Sequence, residues 1–198
     1  MKTIGITGGI GSGKSFVSAL LQEHFGIPVY DCDAEAKRLT ATDEGIRRQL
    51  ISLVGPQVFD GPVLNRQCLA DYLFASAENA LRVNAIIHPV VLEDFKRWIP
   101  SPVPSKGGVL GLESAILFES GFNKSVDYVL FVDAPQEVCL QRAMNRDGAS
   151  EQQIRARMKM QSPEQYKELS DFIIDNSTDD TESLLQQLEK ILNTLVKQ

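Results

Sequence analysis

Apolar positions along the chain change period several times, and each change predicts an element. Thr3-Ile4-Gly5-Ile6-Thr7 is a short, partly β-branched apolar run, the pattern of a strand buried on both faces. The period then turns helical, with Phe16, Val17, Leu20 and Leu21 recurring on one side and Gly26 placed as a C-cap. Ile27-Pro28-Val29-Tyr30 predicts a second strand, ending in Asp31-Cys32-Asp33. Helices follow over 34–39 and 43–54, the second carrying Ile46, Leu50, Leu53 and Val54 on one face. Gly55-Pro56 and Asp60-Gly61-Pro62 are turns, after which a helical pattern runs from the N-cap Asn65 to about Trp98. His88-Pro89 predicts a break in that run, with Pro89 opening a new helix.

The proline-rich Ile99-Pro100-Ser101-Pro102-Val103-Pro104-Ser105 predicts an extended connector. Val109-Leu110-Gly111-Leu112, Tyr128-Val129-Leu130-Phe131-Val132 and Phe172-Ile173-Ile174 predict three more strands. Between the last two lie a helix with Val138, Leu140 and Met144, a break at Gly148, and a capping box from Ser150 to Gln153. From Thr181 an amphipathic helix covers the sheet. Strands alternating with helices imply an α/β protein with a doubly wound, parallel five-stranded sheet. The expected core comprises 1–60 and 105–198, and the strandless block 61–104 reads as a helical insertion able to close over a substrate.

Between the first strand and first helix lies Gly8-Gly9-Ile10-Gly11-Ser12-Gly13-Lys14-Ser15, which satisfies G-x-x-x-x-G-K-[ST] at every fixed position. Strand, glycine loop and helix is the order a P-loop requires. Gly9, Gly11, Ser12 and Gly13 let backbone N–H groups converge on a polyphosphate, and the helix N-terminus adds its partial positive charge. Lys14 would reach the β- and γ-phosphates of ATP, and the Ser15 hydroxyl would ligate Mg²⁺.

Composition narrows the rest. Hydrophobic content of 43% and charged content of 23% are those of an ordinary globular domain. No segment approaches the length of a membrane span, and the chain enters its first strand at once, so neither a membrane partner nor a signal peptide is expected. Three scattered cysteines and two histidines indicate neither a disulfide framework nor a zinc site, and a cytoplasmic location fits. A net charge of −6 argues against nucleic-acid binding. It also requires that positive charge be clustered wherever an anionic substrate is held. Such a cluster exists: Arg142, Arg146, Arg155, Arg157 and Lys159 fall together against only Asp147 and Glu151. Two arginine-rich helices joined by a turn, over about 140–165, predict a lid that neutralises charge as a phosphoryl group moves, the alternative being a solvated helical face.

Aspartates at the end of the second strand face the ligand crevice of an open sheet. Asp33 could orient or deprotonate an attacking hydroxyl, and Asp31 could contact Mg²⁺; either could instead cap the helix that follows. Glu113 and Glu119 could join a metal or substrate network, though a structural role is favoured for each. Asn176, in the loop after the last strand, could meet the nucleotide base or simply make a turn.

In order along the chain, these residues resemble the dephospho-CoA kinase family. The likeness rests on Ile6 to Ser15, Tyr30-Asp31-Cys32-Asp33, Ile87-His88-Pro89, Leu117-Phe118-Glu119, Asn145-Arg146-Asp147, Ala156-Arg157 with Gln161, and Ile174-Asp175-Asn176. The resemblance implies phosphorylation of the ribose 3′-hydroxyl of dephospho-CoA by ATP, the last step in making coenzyme A, by a monomer or small homo-oligomer. It implies Lys14, Asp33 and Arg146 as catalytic residues. Arg142, Phe16 and Asn176 would join the loop at the nucleotide. Lys37, Asn65, Leu69, His88, Leu117 and Arg157 would join Asp33 at the acceptor. Two positions depart from the family pattern: Ala115 replaces a proline, and Lys37 replaces an arginine, giving up bidentate phosphate contact. A nucleoside monophosphate kinase is the alternative within the same chemistry. A GTP- or ATP-driven switch is the alternative outside it, but the aspartate of Asn123-Lys124-Ser125-Val126-Asp127 falls one residue late for guanine recognition.

Overall fold

The computed structural model describes residues 1–99, 108–178 and 180–197; the proline-rich connector predicted over 99–105 lies outside the described residues beyond Ile99. In chain order the elements are β1 (Lys2–Thr7), α1 (Lys14–Phe25), β2 (Val29–Asp31), α2 (Cys32–Thr42), α3 (Glu44–Val54), β3 (Phe59–Asp60), β4 (Val63–Leu64), α4 (Arg66–Ala75) and α5 (Ala77–Trp98). There follow β5 (Val109–Glu113), β6 (Tyr128–Asp133), α6 (Gln136–Asp147), α7 (Glu151–Met158), α8 (Pro163–Glu168), β7 (Phe172–Asp175) and α9 (Thr181–Lys197). Five strands form one parallel sheet in the order β2-β5-β1-β6-β7. The register pairs Lys2 with Val109, Ile4 with Tyr128 and Leu130 with Phe172.

The chain divides into two compact units, Met1–Tyr30 with Pro100–Gln198, and Asp31–Ile99. The first holds the sheet. Ile4, Ile6, Leu110 and Leu130 are fully buried, together with Val17 and Leu21 of α1 and Leu184 and Leu188 of α9. Each such side chain contributes about 1.5–3 kcal/mol by leaving water. Asp127 fixes the entry to β6, its Oδ2 accepting from Thr3 N at 2.7 Å and Thr3 Oγ1 at 2.9 Å. That aspartate, part of the sequence resembling a guanine-reading motif, is therefore a strand anchor.

The second unit is helical apart from the small antiparallel β3–β4 pair, which the sequence pattern does not predict. It begins earlier than the 61–104 block expected from strand spacing. The reason is packing: α2 and α3 lie against α5, and Ile46 and Leu50 of α3 and Val83, Val91 and Phe95 of α5 are all buried. The predicted break at His88-Pro89 does not occur, since α5 runs through Pro89 for 22 residues. A proline inside a helix costs about 3 kcal/mol, and here Val83 before it and Val91 and Phe95 after it are all buried, which offsets that cost. The helix boundary falls instead at Ser76, whose side chain accepts from Asn79 N as an N-cap.

Candidate functional site

In the sheet unit, the loop after β1 is shaped by its neighbours. A Cβ on Gly11 (φ 78°) would lie 2.0 Å from the Cys139 carbonyl oxygen of α6, so only glycine lets the loop pass there. Gly13 (φ 95°) caps α1 in the left-handed region, where a Cβ would meet Asn176 Nδ2 at 2.2 Å. Lys14 Nζ folds back to donate to the carbonyl oxygens of Gly8 and Gly9, each at 2.9 Å. Ser15 Oγ donates to Glu113 Oε1 at 2.7 Å, joining the loop to the carboxyl end of β5. Glu113 is buried. Sequence spacing left its role open; the signal that could have found it is its position as the acidic residue that ends a buried strand.

Beside the loop, a cavity of about 310 Å³ is lined by residues including Gly9, Ser12, Asp133, Cys139, Lys159 and Gln161. Ser12 is 1% exposed and its Oγ has no hydrogen-bond partner among the described residues. A buried hydroxyl without a partner costs about 1–3 kcal/mol, and an anionic ligand that accepts from it would recover that cost. The glycine-constrained loop, the folded-back lysine and this orphan hydroxyl together fit a polyphosphate. Asn176 is buried, its Nδ2 donating to Ser12 O at 2.7 Å and its backbone N–H to Asp133 O at 2.8 Å. Its side-chain amide thus braces the loop. Arg142 Nη1 donates to Asn176 O at 2.7 Å. Phe16, on the first turn of α1, is 46% exposed.

The predicted lid is the helical pair α6–α7, with the expected capping box at Ser150 and Gln153. Its arginines are engaged with carboxylates. Asp147 accepts from Arg146 Nε at 2.7 Å, Arg146 Nη2 at 3.1 Å and Arg157 Nη1 at 2.7 Å. Hydrogen bonds from the two guanidiniums hold the Asp147 carboxyl well below the usual carboxylate range. Arg155 pairs with Glu151 and Glu137. The short helix α8, unpredicted by periodicity, brings Lys167 to Asp133 and stacks Tyr166 on Phe118 with centroids 4.8 Å apart. Leu117, expected at the acceptor, is instead fully buried in this unit, where its side chain lies against Gly5.

In the helical unit, a cavity of about 520 Å³ has walls of Leu69, Leu73, Phe74 and Ile87, with Asp33, Lys37 and Arg66 also lining it. Three residues singled out from sequence, Asp33, Lys37 and Leu69, are thus brought together. Arg66 was missed, although it follows directly on the helix cap Asn65. Asn65 itself caps α4, accepting from Cys68 N at 3.1 Å. His88 is half-buried on α5 outside the lining of this cavity, and burial lowers its imidazole pKa. Asp31 Oδ1 accepts from the N–H groups of Asp33 and Ala34, both at 2.9 Å, as the N-cap of α2. Arg38, beside Lys37, is engaged by Glu35 and Asp94.

Comparison with known proteins extends these observations. The family model for dephospho-CoA kinase matches residues 2–182. A dephospho-CoA kinase of Bacteroides fragilis is 48% identical over 190 residues, 96% of this chain and 90% of that one. One from Geobacillus kaustophilus is 36% identical over 193 residues, covering 96% and 94%. Among solved structures, TT1252 of Thermus thermophilus superposes with a TM-score of 0.80 at 33% identity, covering 98% of this chain and 96% of that one. A shikimate kinase of Acinetobacter baumannii shares the fold, with a TM-score of 0.59 at 18% identity over 98% and 94% of the two chains. No helix among the described residues is long and apolar enough to cross a membrane.

Proposed function

This chain belongs to the dephospho-CoA kinase family, and from that premise we propose that it transfers the γ-phosphoryl group of Mg·ATP to the ribose 3′-hydroxyl of dephospho-CoA, giving coenzyme A and ADP. The observation that carries the choice of acceptor is the cavity of the helical unit. Its apolar wall suits the pantetheine arm, and Lys37 and Arg66, which make no ion pair with any described residue, suit the diphosphate. A nucleoside monophosphate would leave most of that apolar wall in water, at about 25 cal/mol per Å² forgone.

On the donor side, the amides of the glycine loop and the Ser12 hydroxyl bind phosphate oxygens, and Lys14 exchanges its two carbonyls for the β- and γ-phosphates. Ser15 and Glu113 would hold Mg²⁺, whose charge neutralises that developing on the phosphates. Asp31, also considered for the metal, serves the α2 cap through one oxygen and keeps the other. Arg142 and Asn176 shape the wall beside the nucleotide, and Phe16 flanks it.

In the transfer, the acceptor oxygen forms a bond to the γ-phosphorus as the bond from that phosphorus to the ADP oxygen breaks. The hydroxyl proton passes to the Asp33 carboxylate and from there to solvent. Arg146 and Arg157 leave Asp147 to meet the charge on the moving group. The test is ADP release with dephospho-CoA, AMP, dTMP and shikimate side by side. Dephospho-CoA should be preferred by at least about 10³-fold in kcat/KM, the discrimination a site built to pair polar groups achieves; preference for a monophosphate overturns the assignment.

A further inference from the structure

Gln161 belongs to the sequence pattern that runs from Ala156-Arg157, yet nothing above gives it work. It follows the end of α7, and its side chain crosses to the phosphate loop, Oε1 accepting the N–H of Ile10 at 2.9 Å. That contact fixes the carboxamide. An amide nitrogen can only donate, so the oxygen must face Ile10, and the interchange of oxygen and nitrogen that leaves many glutamines ambiguous does not apply. Nε2 keeps both protons, and neither is taken by a described residue. Gln161 also lines two cavities at once: the larger one beside the loop, and a small one of about 10 Å³ that reaches Thr7, Gly8, Glu119 and Tyr166. Gly9 lines both as well. A neutral two-proton donor therefore stands against the loop whose backbone and lysine are built for phosphates, already oriented before any ligand arrives.

We propose that Gln161 is a catalytic residue: its Nε2 donates to an equatorial oxygen of the γ-phosphoryl group during transfer, with Ile10 N–H holding the carboxamide in that orientation. The proposal rests on the donor-site reading above. A loose transition state spreads charge over three equatorial oxygens, and a donor oriented in advance lowers the barrier without reorganisation. Gln161 stays neutral throughout and neither gains nor loses a proton.

Two variants separate donation from anchoring. Q161E keeps an oxygen for Ile10 N–H but removes both donors; Q161A removes anchor and donor together. Steady-state kcat and ATP KM are measured with dephospho-CoA, along with slow ATP hydrolysis without acceptor. Both variants should lose about 10²-fold in kcat. In Q161A the ATP KM should stay within threefold, and the melting temperature of Q161E should stay within about 2 °C of wild type. If either variant keeps kcat within threefold, or if kcat falls only with a melting-temperature loss above about 5 °C, Gln161 is a structural brace and the proposal is overturned. A wild-type enzyme inactive on dephospho-CoA refutes the acceptor reading instead. In that event the hundredfold loss of acceptor-free hydrolysis in Q161E still tests Gln161.

Discussion

Replacing Gly13 by alanine tests whether the phosphate loop is set by local conformation or by its brace. Gly13 has φ 95°, and an added Cβ would stand 2.2 Å from Asn176 Nδ2. The left-handed conformation costs a residue with a side chain about 1–2 kcal/mol. The Cβ also evicts the Asn176 amide from Ser12 O, a buried contact of 2.7 Å, and a buried carbonyl left unpaired costs about 1–3 kcal/mol. Gly13→Ala should therefore destabilise by about 2–5 kcal/mol. In an Asn176→Ala background the amide is already gone, and only the conformational cost of about 1–2 kcal/mol should remain. Urea unfolding followed by far-ultraviolet circular dichroism measures all four corners of the cycle. Dichroism is the right probe because the single tryptophan, Trp98, lies in the helical unit. If the two costs add to within about 0.5 kcal/mol, the sites are independent and the brace is not what positions the loop.

Lys14→Ala should abolish turnover, read as ADP release at saturating acceptor, because no other described side chain replaces its charge within the loop. Asp33→Asn should lower kcat by about 10²–10⁴-fold, the usual loss for a general base, and near-normal turnover would remove it from that role. Lys37→Arg restores the bidentate donor at the cavity of the helical unit and should lower the KM for dephospho-CoA severalfold at unchanged kcat. Asp147→Asn bears on pH. Because the folded pKa of Asp147 is depressed by Arg146 and Arg157, its contribution to stability is complete above the unfolded value of about 3.9 and is lost as pH falls through the folded value. Thermal unfolding should show a constant gap between variant and wild type from pH 8 to about 5, closing only below about pH 4.

The features legible in sequence are those carried by contiguous residues. The glycine loop, the five sheet strands, the Asn65 cap and the Ser150 capping box each follow from a local pattern. What was not legible depends on packing between distant segments. Pro89 marks a helix end by local rules, but burial of Val83, Val91 and Phe95 carries α5 through it. Val63 and Leu64 are too few to show a strand period, yet they pair with Phe59 and Asp60. Asn176 reads equally well as a base contact or a turn residue until Ser12 O is seen to accept its side chain. Arg66 carries no signature in its neighbours, and the pattern Ala156-Arg157 with Gln161 gives Gln161 no role by itself; only the folded chain brings one to a cavity wall and the other to Ile10.

The order of strands has a consequence for how the protein is made. β1 lies between β5 and β6, and both emerge from the ribosome only after the whole of Asp31–Ile99. The helical unit, closed by contacts among its own residues, can gain its structure while β1 and its glycine loop still lack neighbours. Domains fold as units during synthesis at about 5–20 residues per second. The nucleotide-binding loop therefore waits several seconds, on that scale, before the strands that flank β1 exist. The catalytic element nearest the start of the chain is among the last to be held in place.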